Sequence, residues 1–337
     1  VADSGSIINA VGSTMNVTAT NLRLEADDAI GTAARHLTTS VTTLSANSTG
    51  TDAQGIYVTE ADSITVDSVA VTTTAFNSDA TTTDVTDAAQ ADLMAGNNGN
   101  IVLTTLNGSI VINDGDADQV GVVANGSGNI RLDANGSGAD ITNNAQINST
   151  NGHITVTAAD ALSILANITT ATNGTVTLDA EAGALTMAGA ITVTATNSSA
   201  RLNAATDVTL GNVVAENVSV VADSGSIINA AGSTMNVTAT NLRLAADDAI
   251  GTAARHLTTT VTTLSANSTG TDAQGIYVTE ADSITVDSVA VSVTEFGTDA
   301  TTSTTTDAAQ ADLITGNNGH IVLTTLNGSI VINDGDS

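Results

Sequence analysis

Residues 100–112 read NIVLTTLNGSIVI, and they contain two short alternating segments separated by a polar turn. The same order of strand, turn and strand returns at 129–141 (NIRLDANGSGADI), 153–164 (HITVTAADALSI) and 175–187 (TVTLDAEAGALTM). Alternating apolar and polar residues closed by Gly, Asn, Asp or Ser predict short β-strands. The first strands begin roughly 20–30 residues apart, which indicates a coil that repeats along the chain.

This minor period predicts an all-β parallel β-helix, or β-solenoid, with about 20–30 residues per coil. Successive coils of such a fold stack about 4.8 Å apart. We expect these inward positions to stack into aliphatic ladders: Ile101, Leu103, Ile130, Leu132, Ile154, Val156, Val176 and Leu178. We expect these outward neighbours to face water: Thr104, Arg131, Thr155 and Thr177.

A second, longer period makes the chain a tandem super-repeat. Residues 1–117 return as residues 221–337, and the paired positions differ at 15 of 117. We therefore divide the chain into a first full copy, 1–220, and a partial second copy, 221–337. A long tandem period points to an array of stacked units rather than to a compact enzyme.

One segment of each copy breaks the rhythm of the coils. Residues 71–99 are longer than a coil and rich in Thr, Ser, Asp and Ala, and their counterpart is 291–320. Eleven of the 15 differences between the copies fall in 71–100, compared with 291–320. We predict that both segments leave the rod and serve in lateral contacts or in adhesion. Within them, 87–94 (DAAQADLM) and 307–314 predict a short helical turn.

The composition excludes several classes of protein. The net charge is −29, from 35 acidic and 6 basic residues, and such a surface repels nucleic acid and anionic lipid. No segment approaches the ~18 apolar residues of a transmembrane span. Hydrophobic residues make up 41% of the chain and aromatic residues 1%, which suits a thin core of small aliphatic side chains.

Alternate acidic residues at Asp114, Asp116 and Asp118 are the candidate metal ligands, and Ca²⁺ is the cofactor that their oxygen atoms would hold. The EF-hand pattern requires Gly at its sixth position and Glu at its twelfth, where this chain has Gln119 and Asn125. The alternative is a solvated acidic turn without an ion.

A carbohydrate-active enzyme would need paired carboxylates in a groove with aromatic sugar platforms. Glu60 and Asp62 are the candidate pair, but the chain is so acidic that such pairs arise by chance. The aromatic residues are Tyr57, Phe76, Tyr277 and Phe296, and the histidines, which lack metal-ligand spacing, are His36, His153, His256 and His320. We assign no catalytic and no cofactor-binding residue.

Three features resemble the repeats of giant filamentous-haemagglutinin-like exoproteins of bacteria. They are residues 21–34 (NLRLEADDAIGTAA), residues 55–66 (GIYVTEADSITV) and the recurrent Gly-Asn-Ile-x-Leu starts of the coils. The resemblance implies a right-handed β-helix shaft, export to the cell surface, and a role in adhesion or in a matrix.

These observations predict a non-enzymatic structural shaft of an extracellular fibre or giant cell-surface adhesin. Its repeats would stack end to end, so its main partner is another copy, and host-surface or matrix glycans are further candidate partners. Two alternatives stay open: a carbohydrate-active β-helix enzyme, and a Ca²⁺-dependent binding or assembly module.

Overall fold

The structure is a computed structural model that describes residues 1–50, 54–271 and 274–335. In those ranges the chain forms strands, turns and irregular segments, and no helix that is long and apolar enough to cross a membrane is found there. The strands are β1 (Val17–Thr18), β2 (Asn21–Ala26), β3 (Ala29–Ile30), β4 (Leu37–Ser40), β5 (Thr43–Ser48), β6 (Gly55–Glu60), β7 (Ile64–Val66), β8 (Val69–Phe76), β9 (Thr82–Gln90), β10 (Leu93–Ala95), β11 (Asn100–Thr105), β12 (Ile110–Ile112), β13 (Val120–Ala124), β14 (Ile130–Ala134), β15 (Ile141–Asn143), β16 (Gln146–Ser149), β17 (Ile154–Ala158), β18 (Leu162–Ile164), β19 (Ile168–Thr170), β20 (Val176–Ala180), β21 (Leu185–Met187), β22 (Thr192–Ala204), β23 (Val208–Leu210), β24 (Asn212–Ala222), β25 (Ile227–Asn229), β26 (Val237–Ala246), β27 (Ala249–Ile250), β28 (Leu257–Ser268), β29 (Gly275–Glu280), β30 (Ile284–Val286), β31 (Val289–Phe296), β32 (Thr302–Gln310), β33 (Leu313–Thr315), β34 (His320–Thr325) and β35 (Ile330–Ile332).

The main sheet contains 31 of these strands, and its strands pair in parallel with strands of neighbouring coils. Ile101 of β11 pairs with Ile130 of β14, which in turn pairs with Ile154 of β17. Each step along the stack therefore advances the sequence by one coil, as the minor period predicts. The chain is a parallel β-solenoid, and the predicted all-β fold class is confirmed.

Aliphatic ladders fill the interior. All eight predicted inward residues are fully buried. One column runs from end to end of the solenoid through Ile7, Ile30, Ile56, Ile101, Ile130, Ile154, Val176, Ala200, Val218, Leu242, Leu264, Val286 and Ile332. Its twelve steps of about 4.8 Å span roughly 58 Å. Burying each Ile, Leu or Val contributes about 1.5–3 kcal/mol relative to leaving it exposed.

The two excursions are antiparallel hairpins. In the first copy β8 pairs with β9, and in the second copy β31 pairs with β32. We call Val69–Gln90 the first-copy hairpin and Val289–Gln310 the second-copy hairpin. The predicted helical turn at 87–94 is wrong, because its first half completes β9 and Leu93 returns to the main sheet between Ala46 and Val122. Its counterpart at 307–314 is strand in the same way.

The predicted exposure of the outward residues is also wrong for three of the four. Thr155 and Thr177 are each 1% exposed, because the second-copy hairpin lies across this face of the solenoid. Thr104 is 8% exposed beneath the side chains of Asp133 and Asn135, which hydrogen-bond to its hydroxyl.

The two copies occupy different faces of the solenoid. Ile7 belongs to the column of Ile101, whereas its counterpart Ile227 belongs to the column of Ile110. Ile101 and Ile110 lie on consecutive strands of one coil. The repeat 1–220 therefore does not contain a whole number of coils, and the second copy is rotated about the axis relative to the first.

Tight stacking fixes the residue at the start of some strands. Gly55 begins β6 with φ +103°, and a Cβ placed there would collide with the backbone of Asn100 in the next coil. Its counterpart Gly275 has φ +109° and meets His320 in the same way. Only glycine adopts this conformation without strain and lets the two backbones approach so closely.

Candidate functional site

The second-copy hairpin is docked on the solenoid over coils of the first copy. Phe296, near its tip, is 1% exposed and packs in a cluster with Tyr57 and Val102. Val291 and Val293 on the same strand are also 1% exposed. The hairpin thereby joins residues that are far apart in the chain and belong to different copies.

Backbone contacts fix the hairpin along its length. The Phe296 N–H donates to Thr155 Oγ1 at 2.9 Å, and Thr175 Oγ1 donates to the carbonyl oxygen of Thr294. At the tip, His36 Nε2 lies 3.0 Å from the carbonyl oxygen of Thr298, which it reaches as a donor. Each of these shaft groups belongs to the first copy.

Two arginines hold the returning strand. Arg201 Nε donates to both carboxylate oxygens of Asp307 at 3.1 Å, and the side chains are only 14% and 13% exposed. Arg243 Nε donates to the carbonyl oxygen of Ala308 at 3.2 Å. At the base, Gln310 Nε2 donates to the carbonyl oxygen of Leu244 at 2.9 Å.

The first-copy hairpin has the same base, but none of the described coils lies beneath its outer part. Gln90 Nε2 donates to the carbonyl oxygen of Leu24 at 2.8 Å, as Gln310 does to Leu244. Phe76, the counterpart of Phe296, is 76% exposed, and Val85 is 52% exposed. The same element is therefore present in a docked and in an undocked form.

Two of the three predicted metal ligands, Asp116 and Asp118, lie close together, and a further acid, Asp92, joins them. One carboxylate oxygen of each of these three residues lies within 4.8 Å of those of the other two. Asp114 lies outside this group, and its Oδ1 accepts the N–H of Ala117 at 2.8 Å, as Asp118 Oδ1 accepts that of Val120 at 2.8 Å. Asp92 was missed in the sequence, because it precedes Asp116 by most of a coil and meets it only through the stacking of β10 on β13.

Asp92 is 2% exposed, and its Oδ1 is buried without a hydrogen-bond partner. Burial first, and then the charges of Asp116, Asp118, Asp114 and Asp67, raise the pKa of Asp92 to about 7. A cation among these oxygens would offset the free-energy cost of a buried negative charge beside other carboxylates. In the second copy, Asp336, the counterpart of Asp116, lies outside the described residues.

The candidate catalytic pair is not brought together as two exposed acids. Glu60 is fully buried, and its carboxylate accepts the Thr39 hydroxyl at 2.6 Å and the Val41 N–H at 3.0 Å. Asp62 is exposed at the following turn. In the second copy, burial raises the pKa of the equally buried Glu280.

Two of the histidines lie beside the docked hairpin. His153 Nδ1 accepts the N–H of Thr175 at 3.2 Å, and burial lowers the pKa of His153. Burial also lowers the pKa of His36, whose ring lies 5.8 Å from that of Tyr57. Sequence spacing held no sign of these contacts, because the hairpin reaches the histidines from the other copy.

No protein-family model, characterised protein or solved structure matches this chain. The arguments for its function therefore rest on its own residues.

Proposed function

We propose that the chain is a non-enzymatic structural shaft of an extracellular fibre or giant cell-surface adhesin, built from copies joined end to end. The single observation that carries the proposal is the docking of the second-copy hairpin on the first copy. Phe296 and Asp307 cross from one copy to the other and so tie neighbouring repeats together.

The solenoid beneath the hairpins supports the same function. Parallel ladders connect each coil to the next, and the aliphatic columns continue from the first copy into the second. Bending such a rod would break backbone hydrogen bonds and open packed aliphatic contacts, so it is stiff. Stiffness and length are what a shaft needs.

Surface chemistry supports an exposed location. A net charge of −29 keeps the rod hydrated and disfavours non-specific association. The resemblance to filamentous-haemagglutinin-like exoproteins also favours export and adhesion. We propose another repeat copy as the main partner and host-surface or matrix glycans as the further partners.

Electron microscopy of native material, labelled on intact cells with an antibody to this chain, tests the proposal. Each copy rises by between eight and nine coils, so we expect labelled surface rods with an axial rise of about 40 Å per copy. Round, unlabelled or internal particles would contradict it. So would polysaccharide cleavage that is abolished by Asp62→Asn and retained in Asp223→Asn, a variant of another exposed acid.

A further inference from the structure

The root of the first-copy hairpin contains a group of acids that the shaft does not need. Asp92 directly precedes β10, and Asp116 and Asp118 lie in the turn before β13. Because β10 and β13 are neighbours in the stack, one acid of the lower coil faces two acids of the upper coil. One oxygen of each lies within 4.8 Å of the others.

Asp92 distinguishes this group from an ordinary acidic surface. It is 2% exposed, and its Oδ1 is buried with no hydrogen-bond partner. A buried carboxylate oxygen without a partner is costly, and such groups are normally hydrogen-bonded or bind a metal. Asp116 and Asp118 are exposed, so an ion can reach the site from solvent and keep water ligands.

We propose that Asp92, Asp116 and Asp118 together bind one Ca²⁺ ion. Ca²⁺ takes about six to eight oxygen ligands at roughly 2.3–2.6 Å, so oxygens around one ion lie at most about 5 Å apart. The three carboxylates meet that limit, and water completes the shell on the exposed side. Asp114 lies outside this group of oxygens, and its Oδ1 accepts the Ala117 N–H. Asp118 Oδ1 accepts the Val120 N–H at 2.8 Å, and a carboxylate has enough lone pairs to accept that bond and bind an ion as well.

The ion would join two coils at the point where the hairpin leaves the solenoid. It would replace repulsion among three acids by attraction to a common charge. The site is independent of the shaft function, because a shaft without the ion would keep its ladders and its docked hairpin.

Isothermal titration of the whole chelator-treated chain with CaCl₂ tests the site. All proteins would carry Asp312→Asn, which removes the counterpart of Asp92 in the second copy. We expect saturable binding of one Ca²⁺ and a higher melting temperature with Ca²⁺. The double variant Asp116→Asn, Asp118→Asn should bind at least tenfold more weakly, and so should Asp92→Asn.

The control is Asp62→Asn with Asp223→Asn, which removes the same charge from two exposed positions elsewhere. It should bind as the parent does. Without Ca²⁺, the Asp92→Asn variant should melt no lower than the parent, because it removes an unpaired buried charge. If Asp92 had a purely structural role, the variant would melt at a lower temperature than the parent. Equal binding by control and double variant, or no binding at millimolar CaCl₂, would overturn the proposal. The double variant alters only exposed side chains, so it decides the question even if Asp92→Asn fails to fold.

Discussion

Two phenylalanines occupy the same position in the two copies but lie in different environments, so they provide a matched pair for an experiment. Phe296 is 1% exposed against Tyr57 and Val102, whereas Phe76 is 76% exposed. We expect Phe296→Ala to lower the opening free energy of the second-copy hairpin by about 3 kcal/mol, as large-to-small changes in cores do. Amide hydrogen exchange across 289–310 measures it, because such exchange reports local opening.

Phe76→Ala is the control, and it should change the opening free energy of its own hairpin by less than about 0.5 kcal/mol. Equal losses in the two variants would show that Phe296 is not anchored in the first copy.

His153 should make the docked hairpin sensitive to acid. Its Nδ1 accepts the Thr175 N–H at 3.2 Å and lies 2.9 Å from Thr175 Oγ1, which donates to the carbonyl oxygen of Thr294 in the hairpin. Burial holds the pKa of His153 below the ordinary value of 6.5. A lowered pKa gives stability that is complete above the unfolded value and is lost as the pH falls through the folded value. We therefore expect the hairpin to open more readily as the pH falls below about 6.5.

His153→Asn should reduce this loss while keeping the hydrogen bond. In the coil below, Asn129 Oδ1 accepts the His153 N–H at 2.8 Å, so asparagine fits this position of the stack. His320→Asn at the exposed counterpart of Asn100 is the control. Hydrogen exchange at several pH values, corrected for intrinsic rates, measures the effect, and an unchanged profile in His153→Asn would refute it. We expect the pH dependence of hairpin opening that remains in His153→Asn to come from His36, since burial also lowers the pKa of His36.

At the scale of the element, the ion pair of Arg201 and Asp307 should hold β32 on the shaft. Both side chains are largely buried, and Arg201 keeps Asp179 at 4.0 Å when Asp307 is changed. Asp307→Asn should therefore cost about 1–3 kcal/mol of hairpin opening free energy, less than an arginine left wholly unpaired. Asp87→Asn, at the exposed counterpart, should cost almost nothing. Hydrogen exchange in 302–310 and in 82–90 measures the two opening free energies. Equal losses in Asp307→Asn and Asp87→Asn would show that the ion pair does not hold β32 on the shaft.

Local pattern predicted the elements better than it predicted their surroundings. Alternation placed residues such as Ile154 and Val156 inside, because a buried strand face imposes period two on the sequence. It failed for Thr155, whose cover comes from a hairpin of the other copy. Residues 87–90 read as helical from Ala, Asp and Gln, yet pairing with β8 makes them strand. The sequence likewise does not predict Asp92 as a metal ligand, because the stacking of coils, and not spacing along the chain, brings it close to Asp116.

On the scale of the whole molecule, the repeat length sets the arrangement of the hairpins. The first-copy hairpin leaves between Val66 and Leu93, and the second-copy hairpin between Val286 and Leu313. Val66 stacks in the column of Ile112, whereas Val286 stacks in the column of Ile101. Joined copies would therefore direct successive hairpins to different sides of one rod.

A chain extended by one more copy of residues 1–220 before Val1 tests whether docking is a property of every repeat. The added copy would place another Tyr57, Val102 and Thr155 beneath the first-copy hairpin, as the first copy does beneath the second. Phe76 should then become buried, and Phe76→Ala should cost about 3 kcal/mol of hairpin opening free energy instead of almost none. Hydrogen exchange across 69–90 in the extended and original chains measures this. If Phe76→Ala leaves the hairpin opening free energy unchanged in the extended chain, docking depends on residues that are found only in the second copy. One of them is Val293, which replaces Thr73.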